Sequence, residues 1–143
     1  MKISASGIAT ATALTLIPIM GGAATASAEG ASTQAVQAES CPRDGYVTPG
    51  HRCTTLSNGI LRIWLADEGR TVETKYHKTG GSTITAKLGY LRSGSNTWGS
   101  SQSMSAGYYY SKTWTSVPNA CSPVNGLLYS GGTTYQTPAA DVC

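Results

Sequence analysis

Four cysteines, Cys41, Cys53, Cys121 and Cys143, limit the fold of this chain more than any other feature. All lie beyond residue 40, behind a start that reads as an export leader. Lys2 is positive, an apolar stretch runs from Ile8 to Met20, and Ala26-Ser27-Ala28 offers small residues where a signal peptidase would cut. Thr10, Thr12, Thr15 and Pro18 interrupt the stretch, whereas a membrane helix needs about 20 largely apolar residues. Residues 1–28 are therefore expected to be a signal peptide and the product to be secreted, with no membrane partner. An even number of cysteines in a small exported chain predicts two disulfides closing one domain. More than one pairing is possible, and proximity along the chain favours Cys41 with Cys53 and Cys121 with Cys143. The cysteines are too widely spaced for a zinc site, and only His51 and His77 could assist, so neither metal nor cofactor is expected.

Removing Lys2 with the leader leaves nine of the ten Lys and Arg against seven Asp and Glu. This near balance, with the cations dispersed from Arg43 to Lys112, argues against nucleic acid and against a polybasic membrane patch. The basic residues are expected on solvated strand faces. From Glu29 to Ser40 the chain is polar and small, with Val36 its one large aliphatic, so it reads as a flexible N-terminal arm over 29–40 ahead of a β domain over 41–143.

Strand signals fill that domain. Arg52 to Ser57 and Ile60 to Leu65 flank Asn58-Gly59, a pair suited to a type I′ hairpin turn. Leu61, Ile63 and Leu65 share one face, and Arg62 lies on the other. Asp67-Glu68-Gly69 turns the chain into Thr71 to His77, with Val72, Thr74 and Tyr76 inward and Glu73, Lys75 and His77 outward. After Gly80-Gly81, Thr83 to Leu91 places Ile84, Ala86, Leu88 and Tyr90 inward and Thr85 and Lys87 outward, with Lys87 expected to pair with Glu73. Ser93 to Ser103 reads as a Ser/Gly-rich loop around Trp98. Further strands are predicted over Tyr108–Thr115, Leu127–Ser130 and, after a Gly131-Gly132 turn, Thr133–Thr137. About seven strands with no helical periodicity predict an all-β fold: a single antiparallel β-sandwich or partly closed barrel, stabilised by disulfides. The chain has no phenylalanine, so tyrosine and tryptophan must supply much of the core.

No catalytic set emerges. His51 and His77 stand beside turns, and no Gly-x-Ser-x-Gly elbow is present. Asp44 and Asp67 read as turn formers and Asp141 as a terminal solvated charge. Asp67, Glu68 and Glu73 are the one acid cluster, and turn and strand-face roles account for them. The chain is expected not to be an enzyme. The conspicuous feature is aromatic: in Tyr108-Tyr109-Tyr110 the middle ring must point away from its neighbours and from Trp114, and Trp98 sits in its small-residue loop. Tyr109, Trp98 and the arm residues Thr33, Ala35 and Val36 are the candidate partner contacts.

The Ala-Ser-Ala leader end, the Cys41 to Cys143 frame and the Thr/Ser/Tyr/Gly-rich strands resemble the small exported disulfide β proteins of filamentous Gram-positive bacteria. Within that class the mature domain is similar to proteinaceous amylase inhibitors of the tendamistat type, which carry two disulfides on a β sandwich, but their Trp-Arg-Tyr inhibitory motif is missing here. It is also similar in outline to small adaptor subunits of secreted umbrella-like toxin particles. That resemblance implies joining of larger components through an N-terminal segment ahead of a β domain. The expected function is accordingly a non-enzymatic extracellular protein-interaction module, an adaptor or small subunit of a complex that uses its arm. An inhibitor of an extracellular hydrolase, plugging a site with the Asn58-Gly59 turn or the Trp98 loop, is the alternative. A carbohydrate-binding module stacking glycan on Tyr109 or Trp98 is the second.

Overall fold

A computed structural model describes residues 40–143. The leader and the arm through Glu39 lie outside the described residues. Ten strands follow: β1 (Tyr46–Thr48), β2 (His51–Leu56), β3 (Gly59–Ala66), β4 (Thr71–Lys78), β5 (Ile84–Arg92), β6 (Ser95–Trp98), β7 (Gln102–Met104), β8 (Tyr108–Trp114), β9 (Val124–Ser130) and β10 (Thr133–Gln136). They form two antiparallel sheets. The first has the order β1-β2-β3-β4-β8, and the second β10-β9-β5-β6 with β7 also on β5. No strand is shared between them, so the fold is a sandwich and not a closed barrel.

Alternation fixes the core. Leu61, Ile63, Leu65, Val72, Thr74, Tyr76, Ala86, Leu88 and Tyr90 are all buried, as their parity requires. One cluster gathers Ile63, Leu65, Val72, Tyr90 and Val124, with Trp114 packed against it. Another gathers Leu61, Tyr76, Leu88, Met104 and Leu128, with Tyr110 against it. Tyr76 and Tyr90 are the buried rings, and aliphatic side chains fill most of the rest, so the aromatic share of the core is smaller than expected. The Thr74 hydroxyl crosses between the sheets to donate to the Gly89 carbonyl at 2.8 Å.

Both disulfides form, Cys41 with Cys53 and Cys121 with Cys143. They close the two ends of the described chain and fit an oxidising environment.

Several local expectations are corrected. The β2–β3 hairpin exists, but Leu56 pairs with Gly59, so the two-residue loop is Ser57-Asn58. Gly59 is needed for space instead: a Cβ there would lie 2.3 Å from the His77 carbonyl oxygen. A left-handed pair occurs instead at Ser93-Gly94 (φ 49° and 78°), which turns β5 directly into β6. The Ser93–Ser103 region is therefore strand-bearing, because β6 and β7 satisfy their backbone groups against β5. Gly131-Gly132 forms the turn expected of it, with both φ positive.

The basic residues are not all solvated: Arg62, Lys78 and Arg92 are buried. Carbonyls compensate two of them. The Arg92 guanidinium donates to Gly69 at 2.8 Å and to Pro118 at 3.0 Å, tying the turn after β3 to the β8–β9 connection, and burial lowers its pKa. The Lys78 ammonium donates to the Gly80 carbonyl.

Candidate binding face

The outer face of the first sheet is built by the register of β2, β3, β4 and the edge strand β8. His51, Trp64, Glu73 and Thr113 lie side by side across β2, β3, β4 and β8; Cys53, Arg62, Lys75 and Ser111 form the next row; Thr55, Ile60, His77 and Tyr109 form the third. Residues paired in this way point to the same side of the sheet.

Two aromatic positions stand out of this grid. Trp64 is 52% exposed and Tyr109 53%. The Tyr109 ring stacks on His77 with centroids 3.9 Å apart and planes 12° from parallel, which holds the ring in place on the β4–β8 pair. Strand spacing and residue rise place Trp64 and Tyr109 roughly 16 Å apart, with Lys75 between them. Beside Trp64 is a depression of about 170 Å³ lined by His51, Arg62, Trp64, Glu73 and Lys75. Small-molecule sites commonly enclose about 300–1,000 Å³, so this one has room for a single side chain. Its charge is mixed: the Glu73 carboxylate lies 3.6 Å from the Lys75 ammonium in the same strand. The expected Glu73–Lys87 pair is thereby overturned, since Glu73 belongs to the first sheet and Lys87 to the second.

Trp98 stands elsewhere. It ends β6, on the outer face of the second sheet, and is partly buried instead of displayed on a loop. Its ring packs so closely over Gly89 that a Cβ there would lie 2.5 Å from it. Tyr129 meets it edge-on at 6.1 Å, and the Lys87 ammonium sits 4.9 Å from each ring centroid. Trp98 and Tyr109 are therefore on opposite outer faces and do not form one site. Thr33, Ala35 and Val36 lie outside the described residues.

Trp64 escaped the sequence reading, although its parity with Arg62 in an otherwise buried strand was the signal for it. Asp44 and Asp67 have the turn roles anticipated for them. Asp44 accepts the Tyr46 amide at 3.1 Å, and Asp67 accepts the Thr71 hydroxyl at 2.5 Å. Asp67 and Glu68 both have positive φ in a 3-10 turn over Asp67–Gly69. Among the described residues no group of three or more His, Cys, Asp or Glu side chains comes together to hold a metal ion.

What this geometry defines is a class, a small disulfide-closed antiparallel β-sandwich with aromatic side chains on both outer faces. No family model, no curated protein and no solved structure matches the chain.

Proposed function

We propose that the protein is a secreted, non-enzymatic protein-interaction module, an adaptor that offers a rigid face and uses the arm 29–40 to join a second component. The observation that carries this reading is the outer face of the first sheet: Trp64 and Tyr109 protrude from regular strands on either side of Lys75, next to a depression of side-chain size. Tryptophan and tyrosine on a rigid support are what dominate binding energy at protein interfaces, because they supply large contact area at small entropic cost. The Cys41–Cys53 bridge supports the arm's role. Cys53 shares a face with Trp64 and Arg62, so the chain ahead of Cys41 starts from a point pinned beside that face.

Affinity purification from the producer's own culture medium tests it, using the full exported chain, a chain lacking 29–40, and the Trp64→Ala variant. An extracellular protein that co-purifies with the full chain, is lost without the arm and binds about tenfold more weakly to Trp64→Ala supports the adaptor. Recovery unchanged by both alterations refutes it.

A further inference from the structure

The last strand of the first sheet, β8, has an open side among the described residues. The other strands at sheet margins, β1, β6, β7 and β10, run three to four residues, whereas β8 runs seven, Tyr108-Tyr109-Tyr110-Ser111-Lys112-Thr113-Trp114, with no proline, glycine or bulge. Natural sheets normally blunt such a strand, and of the usual devices β8 carries only a lysine, Lys112.

Its unpaired backbone groups can be assigned. Leu56 and Gly59 flank a two-residue loop, so they exchange both hydrogen bonds, and alternate residues of β3 then turn toward β2. The Leu65 amide, which donates to Gly50 at 2.9 Å, follows this parity. Arg62 and Trp64 therefore bond to β4, at Lys75 and Glu73, and Val72, Thr74 and Tyr76 turn toward β8. The Lys78 carbonyl, which accepts the Gly107 amide at 2.8 Å, lies on the same side. In β8 this commits Tyr110, Lys112 and Trp114 to β4. The N–H and C=O groups of Tyr109, Ser111 and Thr113 point outward.

We infer that β8 pairs antiparallel with β8 of a second copy about a two-fold axis at Ser111. This register places outward-facing groups opposite outward-facing groups: Ser111 against Ser111, and Tyr109 against Thr113 in each direction. It also matches the side chains. Tyr108 meets Trp114 of the second copy, an aromatic pair, and the exposed Lys112 meets Tyr110, a cation–π pair. The two lysines stand diagonal to one another instead of directly opposed. Each five-stranded sheet becomes half of a ten-stranded one, with both Trp64 faces on the same side. This dimer is independent of the adaptor reading.

Sedimentation velocity on the exported chain, from micromolar to near-millimolar concentration, is the first measurement. A monomer–dimer equilibrium is expected. Ser111→Pro removes one outward N–H without touching the β4 ladder, and should weaken the dimer at least about tenfold while the circular dichroism stays native. Crosslinking reads the register even if that variant fails to fold. Directly paired residues have Cα atoms about 5.5 Å apart, within disulfide range, so Ser111→Cys should form a covalent dimer under mild oxidant. Thr113→Cys should not, because its two copies lie roughly 13 Å apart. A monomer at every concentration, or equal crosslinking by the two cysteine variants, overturns the inference.

Discussion

Gly59 carries a constraint that its sequence context disguises. Next to Asn58 it reads as a turn residue chosen for positive φ, yet it lies in strand β3, and what it lacks is the atom that would strike the His77 carbonyl at 2.3 Å and the Tyr76 ring at 2.6 Å. Gly59→Ala should therefore destabilise the domain by about 1–3 kcal/mol, read as a lower urea midpoint at unchanged slope. Had the turn been type I′ at Asn58-Gly59, backbone strain would be the cause; here it is overlap between strands, information that sequence parity does not contain. Tyr76 beneath it gives a pH prediction. Its hydroxyl donates to the Asn58 carbonyl at 3.1 Å, and burial first, then the neighbouring Tyr135, raises its pKa above the usual tyrosine value. A raised folded pKa means that the unfolded chain loses this proton first. The contribution is full below about pH 10 and is lost as pH rises through the folded value, so stability should fall on the alkaline side. Tyr76→Phe should flatten that fall in thermal melts while costing about 0.5–1.5 kcal/mol at neutral pH for the lost hydrogen bond.

At the level of elements, the strands with clean alternation were the legible ones. β4 alternates strictly, β5 buries its even positions, and β3 buries both parities apart from Trp64 and Ala66, yet the inward sets Leu61-Ile63-Leu65, Val72-Thr74-Tyr76 and Ala86-Leu88-Tyr90 were all readable. β6 and β7 were not, because Ser95, Asn96, Gln102 and Ser103 are strand residues only by virtue of pairing with β5, a tertiary reason that composition conceals. The candidate face was half legible. Tyr109 followed from the parity of the tyrosine run, while the common face it shares with Trp64 needed the β4–β8 pairing across a long chain separation. The disulfides act on the elements at each end: Cys41–Cys53 spans 12 residues and holds the chain ahead of β1 to β2, and Cys121–Cys143 spans 22 and holds the C-terminus beyond β10 near the entry to β9. Loop-closure entropy gives each about 3 kcal/mol, with the longer loop ahead by about 0.5 kcal/mol. Replacing each pair by alanine and comparing urea midpoints should recover that order, and a clearly larger loss from the shorter loop would put the stabilisation in packing around the fully buried Cys53.

At the largest scale, the described residues form two sheets whose outer faces cannot contact one partner side chain together, so the proposed function assigns recognition to one face and leaves the other to stability. On the second sheet, Gly89 pairs with Leu127 on one side and with Trp98 on the other, and Leu127 is only 1% exposed although it points away from the core. The Trp98 ring leaning over Gly89 gives that face a minor apolar layer of its own, pinned by Tyr129 and Lys87. Trp98→Ala should therefore cost about 2 kcal/mol of folding stability by removing the ring packed over Gly89, and leave partner affinity within about twofold. Trp64→Ala should do the reverse, with stability changed by no more than about 0.5 kcal/mol and affinity falling about tenfold. Because the two rings share no neighbour, the double variant should show the sum of both effects to within about 0.5 kcal/mol in each measurement. If Trp98→Ala stays folded and loses the partner while Trp64→Ala keeps it, recognition belongs to the second sheet, and the Lys87–Trp98–Tyr129 cluster becomes the site to which the partner binds.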